Sequence, residues 1–235
     1  MMMKVRLLAL LVALVLGGVA KAQDLRLGIQ AGANAAFFTG TGETAPRMGA
    51  FGGVFGEYQL GQSPWQLRLD AMLEYVQPSL RNFDLKNPTG AILRYDQGHT
   101  YLAIPLTLGY RIELNERLSL TPRLGVYYRY GLGSDGEITT RVINPQKAEP
   151  DFLSRVRPFD RVTGKANNTF ESYHFAPYRS THWGLTASLT AQIGKRLQLT
   201  ATYKHGTGKE LVNTYDGLGS VRLSSFDIAL GWVVY

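Results

Sequence analysis

The sequence predicts an all-β protein, an eight-stranded antiparallel transmembrane β-barrel built as an up-and-down meander with periplasmic termini. Apolar and polar residues alternate with a period of two along eight separate stretches, which indicates strands and not helices. Long and short connections alternate between these stretches, as in barrels with tight periplasmic turns and longer extracellular loops. Aromatic residues lie at both ends of the apolar faces, and aliphatic residues fill the middle.

The N-terminal segment 1–22 is predicted to be a secretory signal peptide. Lys4 and Arg6 form its positive start, residues 7–16 its apolar core, and Ala20-Lys21-Ala22 its cleavage site. A transmembrane anchor is the weaker interpretation, because the apolar run is short. We therefore expect this segment to be removed on export.

Residues 23–235 are then predicted to form one outer-membrane β-barrel domain. Three of the 25 Lys and Arg residues lie in the signal peptide, so 22 remain against 18 acidic residues, a net charge of +4. This excess is too small to predict nucleic acid as a partner. The chain has no cysteine, which excludes a disulfide scaffold and a lipid-modified cysteine. No later stretch is long and apolar enough for a transmembrane helix, so insertion in a membrane requires a closed barrel.

Eight strands are predicted in chain order. Their approximate spans are 25–37, 48–60, 65–75, 101–112, 118–130, 183–193, 197–204 and 225–234. The second strand cannot be oriented from its pattern, because both of its faces carry apolar residues and glycines crowd it. The connections 77–98 and 131–181 are predicted to be loops, and the second is the long extracellular loop.

Alternation alone does not show which face of the barrel meets lipid, because a soluble eight-stranded barrel would bury its apolar face. The aromatic residues favour a membrane, since a soluble core gives no reason for large rings to collect at both ends. The predicted aromatic girdle consists of Trp65, Tyr75, Tyr110, Tyr128, Tyr130, Trp183, Tyr203 and Trp232.

The polar faces of the strands then line the lumen. The predicted lumen charge network is Arg26, Arg68, Asp70, Glu74, Arg111, Arg123, Arg129, Lys204 and Asp227. An eight-stranded barrel has room for little more than its own inward side chains, and a buried charge without a partner is costly. We therefore expect a lumen filled by salt bridges. A proton or ion path along these residues is the alternative.

Several short motifs resemble those of the PorT-like outer-membrane β-barrel family, a porin-type group of eight-stranded barrels. They are the segments 27–32 (LGIQAG), 73–75 (LEY), 101–106 (YLAIPL) and 123–127 (RLGVY), with the closing aromatic Tyr235. The resemblance covers essentially the whole mature chain and implies a bacterial outer-membrane location, with insertion by the barrel-assembly machinery. The family's namesake is tied to a secretion system. In the usual C-terminal signal of such barrels, the last aromatic residue lies on the lipid-facing side of the final strand. Tyr235 instead occupies a position that the alternation assigns to the lumen-facing side.

Three functions remain open at this stage. The first is a structural or interaction barrel, an accessory to secretion or envelope assembly, whose extracellular loops bind a protein partner or the cell-surface matrix. The second is a narrow porin-like channel. The third is a rim hydrolase that uses His205 with Thr207, although no complete set of base, orienting group and nucleophile is present.

Partners and cofactors follow from the remaining charged and metal-ligating residues. The histidines lack metal-ligand spacing, so neither a metal nor a cofactor is predicted. A basic cluster in the long loop predicts contact with lipopolysaccharide phosphates or an acidic partner, with a solvated loop as the alternative. The cluster consists of Arg155, Arg157, Arg161 and Lys165. Outer-membrane lipid is the expected surroundings of the barrel itself.

Overall fold

The computed structural model describes residues 25–39, 43–85, 91–142, 170–173, 181–207 and 222–234. The predicted signal peptide, the loop cluster at Arg155, Arg157, Arg161 and Lys165, and Tyr235 lie outside these residues. Within the described part, no helix is long and apolar enough to cross a membrane.

Twelve strands occur in the described residues. They are β1 (Leu25–Thr39), β2 (Glu43–Ala45), β3 (Arg47–Gln59), β4 (Trp65–Val76), β5 (Ser79–Leu85), β6 (Ala91–Tyr110), β7 (Ile112–Asn115), β8 (Leu118–Val142), β9 (Phe170–Tyr173), β10 (Thr181–Ile193), β11 (Leu197–Gly206) and β12 (Arg222–Val233).

The eight long strands close into one antiparallel barrel. Their order around the wall is β1, β3, β4, β6, β8, β10, β11 and β12, each paired with the next. The pairing of β1 with β12, from Gly28 opposite Val233 to Thr39 opposite Arg222, closes the ring. A closed ring leaves no unpaired backbone edge within the wall, which is what a membrane demands. The predicted fold class is confirmed.

Side chains alternate between the outside and the lumen along each wall strand. On β12 the side chains of Ile228 and Leu230 are exposed on the outside, whereas Asp227 between Phe226 and Ile228 is buried inside. The outer face is therefore apolar and the inner face polar, the reverse of a soluble barrel. Exposure of apolar side chains on the outer face is favourable because hydrocarbon, not water, surrounds a barrel that spans a membrane.

The orientation of β3, which the pattern left open, is set by the turn that follows it. Residues 60–64 form a tight turn with Gly61 at a φ of 63°, a left-handed conformation that favours glycine. The resulting register places Phe55 and Glu57 in the lumen and Val54 on the outside. Apolar residues occur on both faces because Phe55 packs under a cation, with the Cζ of Arg68 4.0 Å from its ring centroid.

Two predicted loops contain strands. The segment 77–98 includes β5 and the start of β6, and the segment 131–181 includes the end of β8, to Val142, and all of β9. Residues 91–98 of β6 pair with residues 135–142 of β8. They lie beyond His99 and Tyr130, the last positions at which β6 pairs with β4 and β8 pairs with β10. At about 3.3 Å per residue, this two-strand extension continues the wall by roughly 25 Å. Strands that pair outside the membrane do not need to alternate lipid-facing with lumen-facing side chains. The sequence pattern that predicts wall strands therefore does not predict this extension.

Candidate functional site in the barrel lumen

The two ends of the barrel differ. We call the end with the short turns and with residues 25 and 233 the turn end, and the opposite end the loop end. A charge cluster lies on the turn-end side of the lumen, formed by Glu57, Arg68, Asp70 and Arg123, all buried. Glu57 Oε1 is 3.0 Å from Arg68 Nη1 and 2.6 Å from Arg123 Nη2. Arg68 Nη2 is also 2.9 Å from Asp70 Oδ1.

Glutamine side chains complete the hydrogen bonding of this turn-end cluster. Gln198 donates to Glu57 Oε2 (3.1 Å) and accepts from Arg68 Nη1 (2.9 Å). Gln30 donates to Asp70 Oδ1 (2.6 Å) and accepts from Arg68 Nη2 (2.9 Å). Five wall strands, β1, β3, β4, β8 and β11, therefore contribute to one network, which crosses the lumen instead of lining it.

A second charge cluster lies nearer the loop end and consists of Glu74, Arg129, Lys204 and Asp227, again all buried. Arg129 Nε donates to Glu74 Oε2 at 2.8 Å, and Lys204 donates to the other oxygen of Glu74. Lys204 Nζ also lies 2.8 Å from Asp227 Oδ2. These residues come from β4, β8, β11 and β12, so this cluster too connects opposite walls.

Each cluster contains two acidic and two basic side chains, so each is neutral. A buried ion pair costs desolvation, which is repaid only when geometry is good and the remaining polar atoms are hydrogen-bonded. Every charged member has at least one partner on another strand. The buried cluster atoms without a partner among the described residues are Arg123 Nε and Nη1, Arg129 Nη1 and Asp227 Oδ1. Removal of a single member would leave an uncompensated charge in the lumen.

A small cavity of about 30 Å³, lined by both polar and apolar side chains, lies between the two clusters. Arg68 and Asp70 bound it on one side, and Lys204 and Asp227 on the other. Its remaining wall includes the hydroxyl side chains of Thr186, Ser188, Thr200 and Thr202. Asp227 Oδ1 and Thr107 Oγ1, both on cavity-lining residues, have no hydrogen-bond partner among the described residues. The volume is enough for about two water molecules, since one needs about 10–15 Å³.

Aromatic rings cover the loop-end cluster. The guanidinium carbon of Arg129 lies 4.9 Å from the ring centroid of Tyr127 and 5.7 Å from that of Tyr101. His182 meets Tyr101 edge-on, with centroids 5.6 Å apart. Tyr101, Tyr127 and Arg129 are all almost fully buried, so these rings narrow the lumen above the ions.

Two residues of the predicted lumen network lie apart from both clusters. Arg26 is half-buried at the turn end, where Nη1 donates to Gln192 at 2.9 Å. Arg111 lies 3.5 Å from Glu113, whose side chain is exposed, so this pair lies at the mouth of the barrel. The structure brings together the other seven predicted residues: Arg68, Asp70, Glu74, Arg123, Arg129, Lys204 and Asp227.

Glu57 is the one charged member of the two clusters that was not predicted, because the second strand could not be oriented. Gln30 and Gln198 lie on the polar faces that were predicted to line the lumen, but their hydrogen bonds to the charged residues were not predicted. A signal was present: the turn at 60–64 pairs Gln59 with Gln66 and so places Glu57 opposite Arg68. An acid facing an arginine across two strands favours that register.

The predicted aromatic girdle lies on the outer face at both ends. Trp65, Tyr110 and Trp232 are exposed near the turn end, and Trp65 meets Tyr110 edge-on with centroids 5.2 Å apart. Exposed near the loop end are Tyr75, Tyr128, Tyr130 and Trp183. Tyr203, also near the loop end, is half-buried against Phe226, with centroids 4.8 Å apart.

The rim residues considered for hydrolysis do not form an accessible site. His205 Nδ1 lies 3.0 Å from Ser224 Oγ, and not beside Thr207, whose hydroxyl donates to the Trp183 carbonyl at 2.9 Å. Ser224 is fully buried, so a substrate cannot reach its hydroxyl. Among the described residues, no group of three or more metal-ligating side chains is placed to hold a metal ion.

A closed eight-stranded barrel with an apolar exterior, aromatic ends and a polar interior is an integral outer-membrane β-barrel protein. The chain belongs to the family described as Outer membrane protein beta-barrel domain, whose model matches residues 21–211. This membership implies the bacterial outer membrane as its location. No curated protein matches the chain.

Several solved structures are similar to this chain. The attachment invasion locus protein Ail of Yersinia pestis shares 13% identity, with 90% of this chain and 99% of that chain covered and a TM-score of 0.37. OprG from Pseudomonas aeruginosa shares 12% identity, with 90% and 94% covered and a TM-score of 0.42. Neisserial surface protein A shares 12% identity, with 88% and 96% covered and a TM-score of 0.38.

Proposed function

We propose that the protein is a non-conducting barrel that acts as a structural or interaction protein through its loop end. The observation that carries this proposal is the pair of neutral charge clusters that cross the lumen. An ion that entered from either end would have to separate Arg68 and Arg123 from Glu57, or Arg129 and Lys204 from Glu74. Each separation leaves buried charges without partners, which is costly.

The loop end offers the larger surface for a partner. The strand extension of 91–98 with 135–142 joins β5 on one side and β9 on the other, and β2 pairs with β5. A sheet that continues beyond the wall is a rigid platform for a protein partner, more so than a loop without strands. For the segment beyond Val142, the proposal is that lipopolysaccharide phosphates bind the basic cluster of Arg155, Arg157, Arg161 and Lys165.

The resemblance to PorT-like barrels supports a role as an accessory to secretion or envelope assembly. On that proposal the segment 1–22 is cleaved during export, and the barrel-assembly machinery inserts the mature domain. Catalysis is not part of the proposal, because the hydroxyl beside His205 belongs to the fully buried Ser224.

A narrow channel is the second candidate, and the cavity between the clusters favours it. Asp227 Oδ1 and Thr107 Oγ1 lack partners among the described residues, and hydroxyl groups line part of the wall, beside apolar side chains such as Phe51. Water in the cavity would supply those partners. Transport would then need only the two clusters to open, and planar-bilayer recording distinguishes the two candidates.

The interaction role is tested by shortening the loop-end extension symmetrically. Deletion of 91–97 together with 136–142 removes matched partners, since Gln97 lies opposite Gly136 and Ala91 opposite Val142. The full chain and the deletion variant are each cross-linked in outer membranes and purified in detergent. We expect a specific cross-linked partner with the full chain only, while heat-modifiable gel mobility shows that both barrels are folded. Identical cross-linked products from both chains would contradict the role of the extension.

A further inference from the structure

Two turns at the turn end lie side by side and carry three exposed cations. The turn between β7 and β8 contains Arg117, and the turn between β10 and β11 contains Lys195 and Arg196. The Gly194 backbone N–H donates to the Arg117 carbonyl at 2.6 Å, which joins the two turns. We call Arg117, Lys195 and Arg196 the basic patch.

The basic patch adjoins the lipid-facing surface at the depth of the head groups. The Cζ of Arg196 lies 6.0 Å from the ring centroid of Trp232, and 46% of Trp232 is exposed on the outer face. Tryptophan at the end of an apolar face marks the membrane–water interface. Ile193 and Leu197, which flank the same turn, are exposed on the apolar band. A lipid beside this turn would therefore place its chains on the apolar band and its head group beside the cations.

The charge around the turn end is unevenly distributed. Beside the basic patch, Glu116 offsets one of the three cations, so the described residues there keep an excess of two positive charges. The turn 60–64, next to Trp65, contains no charged residue. Arg111, whose backbone N–H donates to the Pro64 carbonyl, is paired with Glu113. One sector of the rim is therefore basic and another is neutral.

We propose that the basic patch binds the head groups of anionic phospholipids in the leaflet at the turn end. A guanidinium donates two parallel hydrogen bonds to a phosphate, and a lysine ammonium adds a point charge beside it. Zwitterionic phospholipids also carry a phosphate, so the patch prefers anionic phospholipids because of the net negative charge of their head groups. This inference does not depend on whether the lumen conducts.

The test uses single-tryptophan variants of the full chain, folded into phosphatidylcholine vesicles. Trp65→Phe with Trp183→Phe leaves Trp232 as the reporter beside the basic patch. Trp183→Phe with Trp232→Phe leaves Trp65 as the reporter beside the neutral turn. Fluorescence quenching by brominated phosphatidylglycerol is divided by quenching with brominated phosphatidylcholine. We expect this ratio to exceed one for Trp232 and to stay near one for Trp65.

Substitutions then connect the ratio to the patch. In the variant that retains only Trp232, Lys195→Gln with Arg196→Gln should weaken association with phosphatidylglycerol by roughly fivefold per cation. Glu116→Gln in the same variant should strengthen that association. Arg222→Gln, which removes an exposed cation at the loop end, should change nothing. Raising the salt concentration should lower the ratio by screening.

Other outcomes would overturn the proposal. They are a ratio near one for Trp232, an equal preference at Trp65, or a preference at Trp232 that is undiminished after Lys195→Gln with Arg196→Gln. Heat-modifiable gel mobility of each variant shows that a lost preference does not come from an unfolded barrel.

Discussion

Arg123 on β8 reaches across the lumen to Glu57 on β3, with Nη2 and Oε1 2.6 Å apart. The two strands are not neighbours in the wall, because β4 and β6 lie between them. The same Glu57 oxygen also accepts from Arg68 on β4. One carboxylate therefore holds two cations from different strands, and the turn-end cluster depends on it.

Substitution of Glu57 should be among the most damaging single changes in the lumen. Glu57→Gln removes the negative charge shared by Arg68 and Arg123, and we expect a loss of about 3–5 kcal/mol in the free energy of unfolding. Urea unfolding of the barrel in vesicles measures it. Glu113→Gln is the matched control, because that side chain is 75% exposed and pairs only at the mouth; its effect should stay within about 0.5 kcal/mol. Equal effects of the two substitutions would show that Glu57 does not anchor the cluster.

The loop-end cluster should show strong coupling between its members. Lys204→Met alone leaves Glu74 and Asp227 with one buried cation fewer, and Asp227→Asn alone leaves one cation too many. The double variant keeps the cluster neutral, so its loss of unfolding free energy should be well below the sum of the two single losses. Unfolding in urea gives all three values. Additive losses would mean that the two residues do not act as a pair.

Adjacent residues on β6 test which face meets lipid. Leu106 is exposed on the outer wall and Thr107 is buried in the lumen. Leu106→Arg puts a charge in the apolar band and should cost about 2–4 kcal/mol of unfolding free energy in vesicles. The loss should shrink as the bilayer is made thinner, because the charge then lies nearer to water. Thr107→Arg acts through interior packing, so its cost should not depend on bilayer thickness. The same thickness dependence for both variants would reverse the assignment of the faces.

Adjacent glycines on β3 test the orientation of that strand. A Cβ at Gly53 would lie 2.1 Å from the Ala71 carbonyl oxygen, whereas one at Gly52 would have its nearest neighbour at 3.7 Å. Gly53→Ala should therefore cost about 1–3 kcal/mol in unfolding free energy. Gly52→Ala should stay within about 0.5 kcal/mol. A larger loss from Gly52→Ala would indicate the opposite facing of β3.

The barrel wall was predictable because the membrane imposes a pattern on the sequence. Every residue of a wall strand faces either lipid or lumen, so alternation identifies the strands, and the rings at Trp65 and Trp183 mark the two ends. Seven members of the lumen clusters were predicted from the alternation of polar and apolar residues alone. The pairing of each cation with a particular acid could not be predicted, since it depends on the stagger of strands that are distant in sequence.

Two features escaped prediction for identifiable reasons. The strand β3 carries Phe55 on its lumen face, beneath the Arg68 guanidinium, so its polarity does not alternate. The extension of β6 and β8 lies beyond the wall, where the contrast between lipid and lumen ends. Register counted back from the turn at Gly61 would have oriented β3 and found Glu57.

The central claim is that the two charge clusters close the lumen. Its most direct test is planar-bilayer recording of the purified, folded barrel at symmetric high salt. We predict no conductance steps above the background of the bilayer, because both clusters must part before an ion can pass. Steady, well-resolved steps from the unmutated protein would contradict the claim, and the narrow channel would then be the better account.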